Sequence, residues 1–328
     1  MGTERPHETM ATTSRSLSRQ TVLLLIAFAG VAGLLWRGYE SHQPLNIQER
    51  QERHHADTLA NWEFDPYQYK YFAMAWAVEG VHRATGLSIR SLYRVNLALS
   101  LFALLIAHYA WLRAWLGRSA AVGGTFLLAA YAHLLFLQHY HYPNEFWGVA
   151  GLCIFLRLEW LRSSLLAAVA VALVTGIVWE KHVLVPFAFL ASRWFEGGRV
   201  ATLLRFITLV VAAALPQMLL RRVLGEGRPV VEVTPLDAQP WDTFASVHGL
   251  FLLMPLILLL AGWARVPKPL RWLWLCVPAM FAIYIAQQRM LYEARSYWIF
   301  VPIFCGTIAS VVLADAPPDR EPARSSPA

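Results

Sequence analysis

Residues 162–193 read RSSLLAAVAVALVTGIVWEKHVLVPFAFLASR, two short apolar runs separated by Trp179-Glu180-Lys181-His182. Arg162 precedes the first run and Arg193 follows the second. Because short loops rich in Arg or Lys stay in the cytoplasm, both ends of this stretch prefer the same side of a membrane. A single broken helix, the alternative, would put the two arginines on opposite sides. The stretch therefore predicts a helical hairpin whose outer tip is Glu180-Lys181-His182.

The composition indicates that a bilayer is the solvent for most of the chain. Of the 328 residues, 57% are hydrophobic and only 15% are charged. A soluble domain of this length could not cover so much apolar surface with so few charges. The net charge of +7 comes from arginines in small groups between apolar runs, which is typical of polytopic membrane proteins and not of nucleic-acid-binding patches.

The apolar runs predict an all-α, polytopic integral membrane protein with about ten transmembrane helices. Thr21–Trp36 is interpreted as an uncleaved first span, since no cleavage site followed by a soluble domain is evident. Residues 21–314 are expected to form a single membrane domain between a cytoplasmic segment, 1–20, and a disordered cytoplasmic tail, 315–328. The later runs are about 95–112, 119–137, 146–161, 164–179, 183–195, 201–220, 246–263, 271–286 and 298–314.

The distribution of arginines predicts the orientation. If every run crosses the bilayer, the arginine-bearing loops share one side, which is then the cytoplasm, and both termini lie there. The remaining loops lie on the outer side, and the first of them, residues 37–92, is the longest polar region of the chain. The arginine-bearing side holds Arg5, Arg15, Arg19, Arg113, Arg118, Arg162, Arg193, Arg199, Arg205, Arg265, Lys268 and Arg271.

The first outer loop contains an acidic motif, Glu63-Phe64-Asp65, directly before Pro66. Asp followed by Pro is a good helix start, and Gln68 stands where a capping box needs it. The aromatic residues that follow fall on one helical side, which predicts an amphipathic helix lying at the membrane surface. Asp65 therefore has a structural interpretation as an N-cap beside any catalytic one.

Three further groups of ionisable residues fall on the same outer side. Carboxylates, histidines and fixed cations sharing one face suit acid–base chemistry on an anionic substrate. Each group also has a structural alternative: an interfacial histidine, a Glu180–Lys181 pair that neutralises itself, or a local Glu293–Arg295 ion pair. The chain has only three lysines, so a lysine at the tip of the hairpin is notable. The groups are His141 with Glu145, Glu180 with Lys181 and His182, and Arg289 with Glu293 and Arg295.

These motifs resemble those of the GT-C class of polytopic glycosyltransferases, which use polyprenyl-phosphate sugars on the outer face of the membrane. Glu63-Phe64-Asp65 is similar to the acidic motif that this class carries in its first outer loop. Trp179-Glu180-Lys181-His182 with Pro186, and Tyr292-Glu293-Ala294-Arg295 with Pro302, are similar to its later motifs. The resemblance covers about residues 20–314, although no large soluble domain follows the spans.

The resemblance implies an inverting transfer of a sugar to a glycan, lipid or protein acceptor in cell-envelope assembly at a bacterial inner membrane. Asp65 would be the general base, supported by Glu63, which is also the candidate to hold a divalent cation such as Mg²⁺ or Mn²⁺. Phosphate binding would fall to Lys181, Arg289 and Arg295. An apolar groove between spans would hold the polyprenyl tail. Binding of sugar and acceptor is expected of Tyr67, His141, Glu145, Glu180, His182 and Glu293.

Two rival functions remain open from the sequence: a non-enzymatic transporter, flippase or assembly subunit, and a polysaccharide polymerase of related architecture. A transporter normally places ionisable residues near the bilayer midplane. Here Arg157 and Glu159 are the only charges well inside an apolar run, and they lie near its cytoplasmic end. This position favours chemistry at the membrane surface over conduction.

Overall fold

The computed structural model describes residues 18–42, 52–53, 55–56, 59, 66–136, 143–179, 181–195, 198–224, 249–279, 282 and 298–314. Over these residues the chain forms helices and no strand, as the sequence predicts. A short 3₁₀ turn, Trp263–Arg265, precedes α10, and a π turn, Ala309–Leu313, follows α11. The helices are α1 Arg19–His42, α2 Pro66–Thr85, α3 Ile89–Leu112, α4 Arg118–Phe136, α5 Pro143–Trp160, α6 Leu165–Val178, α7 Leu184–Arg193, α8 Arg199–Leu224, α9 Gly249–Ala261, α10 Lys268–Leu273 and α11 Val301–Ile308.

Four of the described helices, α1, α3, α4 and α8, are long and apolar enough to cross a membrane. Large apolar side chains on α8, such as Leu204 and Val223, are well exposed, which suits contact with lipid. Helices α6 and α7 have 14 and 10 residues, short of the ~20 that a straight span needs. The protein is therefore a helical membrane protein, and the full number of spans stays a prediction.

The apolar core draws buried residues from α1 and from the described helices α3 to α11. Helix α3 begins at the cap residue Ser88, whose hydroxyl accepts a hydrogen bond from the backbone N–H of Ser91. Farther along the chain, the rings of Phe136, Phe146 and Trp298 pack with centroids 4.9 to 5.6 Å apart. Since these rings belong to the end of α4, the start of α5 and the turn before α11, they join distant parts of the sequence.

Helices α6 and α8 approach each other closely at Gly176. A Cβ built on this residue would overlap the backbone carbonyl of Ala213, so the approach requires glycine. Gln217 Nε2 donates a hydrogen bond to the Gly176 carbonyl oxygen at 2.8 Å. This contact satisfies one of the carbonyls that the last turn of a helix leaves without an intrahelical partner. Small residues and one buried amide thus hold α6 against α8.

The chain reverses between α6 and α7. Helix α5 starts near Glu145 and finishes near Glu159, and these residues define the two ends of the bundle used below. Lys181, after α6, contacts Glu145, whereas Arg193, at the end of α7, lies 3.7 Å from Glu159. Helix α7 therefore runs back towards the end from which α6 came. This is the expected hairpin, and the single broken helix is excluded.

Helix α2 lies against four others, α3, α5, α6 and α8. It begins at Pro66, where the Asp-Pro pair predicts a helix start. Ala75 and Val78 are buried against the protein, whereas Trp76 is exposed. A turn at Gly86, which has a positive φ of 72°, leads into α3. Helix α2 thus covers several helices and leaves a tryptophan exposed, and its place at a membrane surface stays a prediction.

Candidate functional site

Glu145 stands in the first turn of α5, directly after Pro143 and Asn144. Proline suits the first helical position because it has no N–H to leave unpaired there, and a carboxylate is stabilised by the positive end of the helix dipole. Only 5% of Glu145 is exposed. A buried carboxylate needs charged or hydrogen-bonding partners, so its surroundings decide what this end of the bundle can do.

Both carboxylate oxygens of Glu145 have a donor from the segment that follows α6. Trp179 Nε1 donates to Oε2 at 2.9 Å, and Lys181 Nζ donates to Oε1 at 2.8 Å. The exposed fractions of the Lys181 and Glu145 side chains are 13% and 6%. Lys181 is therefore paired with Glu145. From the sequence, the only partner expected for Lys181 was its neighbour Glu180.

His182 is tied to the same segment through its ring. His182 Nδ1 lies 3.0 Å from the Trp179 carbonyl oxygen, which can only accept a hydrogen bond. Nδ1 therefore carries the proton, and in the neutral ring Nε2 is the acceptor nitrogen. The histidine is 9% exposed. Its orientation is consequently set by the backbone turn that also carries Lys181.

Glycines on α5 allow the approach that brings Trp179 to Glu145. A Cβ on Gly148 would overlap the Trp179 ring, and a Cβ on Gly151 would lie 2.7 Å from Thr175 Oγ1. Helix α6 can therefore pack against α5 only because these positions have no side chain. The same packing leaves Trp179 fully buried, with its one polar atom aimed at Glu145.

Asn144 adds a buried polar group to this end of the bundle. The residue is 1% exposed, and its buried Oδ1 has no hydrogen-bond partner among the residues that the structure describes. An unpaired buried acceptor costs about 1–3 kcal/mol, so such a group in a native protein calls for an explanation such as a bound water or ligand. Asn144 precedes Glu145 in the first turn of α5, so its amide is a further polar group at this end of the bundle.

The structure brings together three of the residues that the sequence singles out: Glu145, Lys181 and His182. The backbone of Tyr67 lies in the first turn of α2. At these four positions the structure can be set against the sequence prediction. The other candidates lie outside the described residues: Glu63, Asp65, His141, Glu180, Arg289, Glu293 and Arg295.

A second polar network, on α2 and α3, was not predicted from the sequence. His55 Nδ1 lies 3.1 Å from Tyr93 Oη, and its Nε2 lies 3.3 Å from Glu79 Oε2. Arg83 Nε donates to Glu79 Oε1 at 2.6 Å. The hydrogen bonds from Arg83 and then His55 hold the pKa of Glu79 below its usual value of 4.5. The spacing of Glu79 and Arg83 along one helical face was the available signal, and nothing in the sequence connects His55 to them.

A third cluster lies at the Glu159 end. Glu159 is buried, its carboxylate lies 3.1 Å from Arg205 Nη2 and 3.7 Å from Arg193 Nε, and its backbone carbonyl accepts from Arg193. Two arginines around one buried carboxylate join α5, α7 and α8. The sequence signal was Glu159 itself, an acid inside an apolar run, together with Arg193 at the end of one later run and Arg205 near the start of the next.

The chemistry available at the Glu145 end is that of a carboxylate, an ammonium, an imidazole and an unpaired amide oxygen. Within the described ranges, no three His, Cys, Asp or Glu side chains are grouped so as to hold a metal ion. The predicted cation ligand, Glu63, lies outside them. No protein-family model matches the chain, and no curated protein shows significant similarity to it.

Proposed function

We propose that this protein is a membrane glycosyltransferase that moves a sugar from a polyprenyl-phosphate carrier to an acceptor at the Glu145 end of the bundle. The observation that carries the proposal is the ion pair of Lys181 with Glu145, which holds a lysine ammonium in a fixed place at one end of the bundle. Fixed cations stabilise the negative charge that develops on a departing phosphate. In the predicted orientation this end faces outward.

Glu145 acts as a positioning residue for Lys181 in this proposal. Its two oxygens already accept from Trp179 and Lys181, so it is poorly placed to be the principal ligand of a sugar hydroxyl. A lysine ammonium has three donors, and one of them is directed at Glu145. Orienting the ammonium before the substrate arrives lowers the reorganisation needed in the transition state. Lys181 is the phosphate-binding residue, and His182 and Asn144 are the polar neighbours for a sugar.

The segment that follows the late motif packs at the Glu145 end of the bundle, which supports this end as the site. Trp298 follows Arg295 by three positions, and its ring packs edge-to-face on Phe146 at 5.6 Å. Phe146 is the neighbour of Glu145 in α5. The chain therefore enters α11 beside the first turn of α5, which favours Arg289 and Arg295 as further cations for the phosphate.

Asp65 is the proposed general base. It directly precedes α2, and α2 contacts both α5 and α6, the helices that position Glu145 and Trp179. As an ionised carboxylate at neutral pH, it would take the proton from the acceptor hydroxyl while the hydroxyl oxygen bonds to the anomeric carbon, and the sugar–phosphate bond breaks to release polyprenyl phosphate. Glu63 stays in the proposal as its support or as a ligand of a divalent cation.

The positions of the buried acids favour a transferase over a transporter. The two buried acids of the described chain, Glu145 and Glu159, lie in the first and last turns of α5. Ion and substrate pathways usually place ionisable residues near the midplane of the bilayer. Charges confined to the ends of a helix suit chemistry at the surface.

The test is carrier release in native membranes, which supply acceptors. Membranes from cells that overproduce the protein would be given a panel of polyprenyl-phosphate monosaccharides, and released polyprenyl phosphate would be measured by mass spectrometry. We expect release from at least one donor, loss of release for Lys181→Met, and full release for the matched control Lys268→Met at the start of α10. Equal release from membranes with and without the wild-type protein, across the panel, would refute the proposal.

A further inference from the structure

A groove open to the side of the bundle runs between α3 and α5. Its volume is about 480 Å³. Leu99 of α3 and Ile154 of α5 are 53% and 44% exposed at its walls, so the groove opens towards the surrounding lipid. Alanines on the α3 side leave the space that a larger side chain would fill. From α3 the lining residues are Leu99, Phe102, Ala103, Ile106, Ala107 and Ala110.

The groove is closed at one end and charged at the other. At the Glu145 end Trp147 lines it and donates from Nε1 to Asn96 Oδ1 at 2.9 Å, which joins α5 to α3. At the Glu159 end it is lined by Arg157 and Leu158. From Trp147 to Leu158 the helix rises about 16 Å, since each residue adds 1.5 Å. The groove therefore follows most of the length of α5, from near the Glu145 end to the Glu159 end.

Arg157 presents a positive charge at the mouth of the groove. The residue is exposed, and in the described part of the chain it forms no salt bridge. The nearest acid along α5, Glu159, is two positions away and so points to the opposite side of the helix. Glu159 is also already held by Arg193 and Arg205. Among the described residues, no acid around the groove therefore neutralises the charge of Arg157.

We propose that this groove binds an anionic phospholipid from the leaflet at the Glu159 end, which is the cytoplasmic leaflet in the predicted orientation. One acyl chain lies along the alanine-lined wall of α3, and the phosphate contacts Arg157. The apolar lining matches the chain, and the guanidinium matches the anionic headgroup. A polyprenyl-phosphate donor bound at Lys181 would have its phosphate at the opposite end, so this lipid site is separate from the proposed transfer site.

Lipid binding by purified protein tests this assignment. After delipidation, the protein would be mixed with polyprenyl phosphate, or with phosphatidylglycerol or phosphatidylcholine carrying identical acyl chains, and retained lipid would be counted by native mass spectrometry. We expect preferential retention of phosphatidylglycerol. Arg157→Gln should weaken that retention about tenfold or more, because a hydrogen bond to a charged group is lost. Ala103→Phe, which fills the groove, should weaken retention of both lipids.

Arg199→Gln is the matched control, since Arg199 is an exposed arginine at the same end but on α8. It should leave retention unchanged. If both glutamine variants lose phosphatidylglycerol equally, or if the two lipids are retained equally, Arg157 is only a cation at the last turn of a helix and the proposal fails. Preferential retention of polyprenyl phosphate, abolished by Ala103→Phe, would overturn it in favour of the carrier. Arg157→Gln decides the matter even if Ala103→Phe does not fold, because Arg157 is an exposed side chain.

Discussion

Lys181 Nζ lies 2.8 Å from Glu145 Oε1, although the two residues are 36 positions apart in the chain. They meet because α6 carries the chain from the Glu159 end back to the start of α5, where Trp179 binds the other carboxylate oxygen. The position of the ammonium therefore depends on how α5 and α6 pack. Removing either partner or disturbing that packing should have separable effects on stability and on transfer.

Lys181→Met should destabilise the protein, because it leaves the Glu145 carboxylate buried without its cation. Breaking a buried ion pair in this way costs about 3–5 kcal/mol. The double variant Glu145→Gln with Lys181→Met removes both charges and should recover most of the lost thermal stability. Its transfer activity should stay absent, because no ammonium is left for the phosphate. Unfolding temperature and carrier release, measured on the single and double variants, separate the two roles.

Two comparisons sharpen this prediction. Lys181→Arg keeps the charge and should retain part of the activity, since a planar guanidinium does not replace a compact ammonium. Recovery of both stability and carrier release in the double variant would instead make Lys181 a structural partner of Glu145 and remove its role in phosphate binding.

Gly148→Ala should displace the Trp179 ring from Glu145. The added Cβ would overlap that ring, and overpacking in a closely packed interior costs typically about 1–3 kcal/mol. The matched control is Gly33→Ala in α1, where a Cβ would meet nothing within 4 Å. We expect a lower unfolding temperature and reduced transfer activity for Gly148→Ala, and neither change for Gly33→Ala. Similar unfolding temperatures for the two variants would show that the tight approach of α5 and α6 is not needed.

The loss of folding stability at acidic pH should depend on Glu79. Because Arg83, and then His55, lower its pKa in the folded protein, Glu79 stabilises the fold above its unfolded value of 4.5. This contribution is lost as the pH falls through the lower, folded pKa. The difference in unfolding temperature between wild type and Glu79→Gln should therefore shrink as the pH falls below about 4.5. Arg83→Gln removes the largest cause and should flatten the same dependence, whereas a difference that grows on acidification would contradict the assignment.

The two ends of α3 should be accessible from opposite sides of the membrane. Cysteines placed at Ala84 and Gly117 flank this helix at exposed positions. In intact cells a membrane-impermeant maleimide should label Ala84→Cys, and Gly117→Cys should react only after permeabilisation, because loops rich in arginine face the cytoplasm. The three native cysteines are buried and should remain unlabelled. Labelling of Gly117→Cys alone in intact cells would invert the orientation.

The long apolar runs could be read from the sequence because helices at membrane depth need many consecutive apolar residues. The run at about 95–112 corresponds to α3, and the arginines that flank the runs of α6 and α7 predicted their reversal. The hydrophobic pattern is local, and each run contains the information for its own helix.

The partners of individual charges could not be read in the same way. Pairing of Glu145 with Lys181 depends on Gly148 and on a chain reversal, so the nearer Glu180 was the natural expectation. The contact of His55 with Glu79 likewise joins a polar loop to a helix that begins later in the chain. Such contacts are set by tertiary packing, which leaves no period or spacing in the sequence.

Asp65→Asn tests the proposed base, which directly precedes Pro66 in the sequence. Asparagine is nearly as good an N-cap as aspartate, so α2 should still begin at Pro66 and the unfolding temperature should be nearly unchanged. Asparagine cannot take a proton at neutral pH, so transfer should be lost. Asp65→Ala should lose transfer as well and, without a cap, also about 1 kcal/mol of stability. Carrier release measured beside thermal unfolding distinguishes the two roles, because a capping residue changes the second and a base changes the first. Full release by Asp65→Asn would leave Asp65 as the cap of α2 and move the search for the base to Glu63.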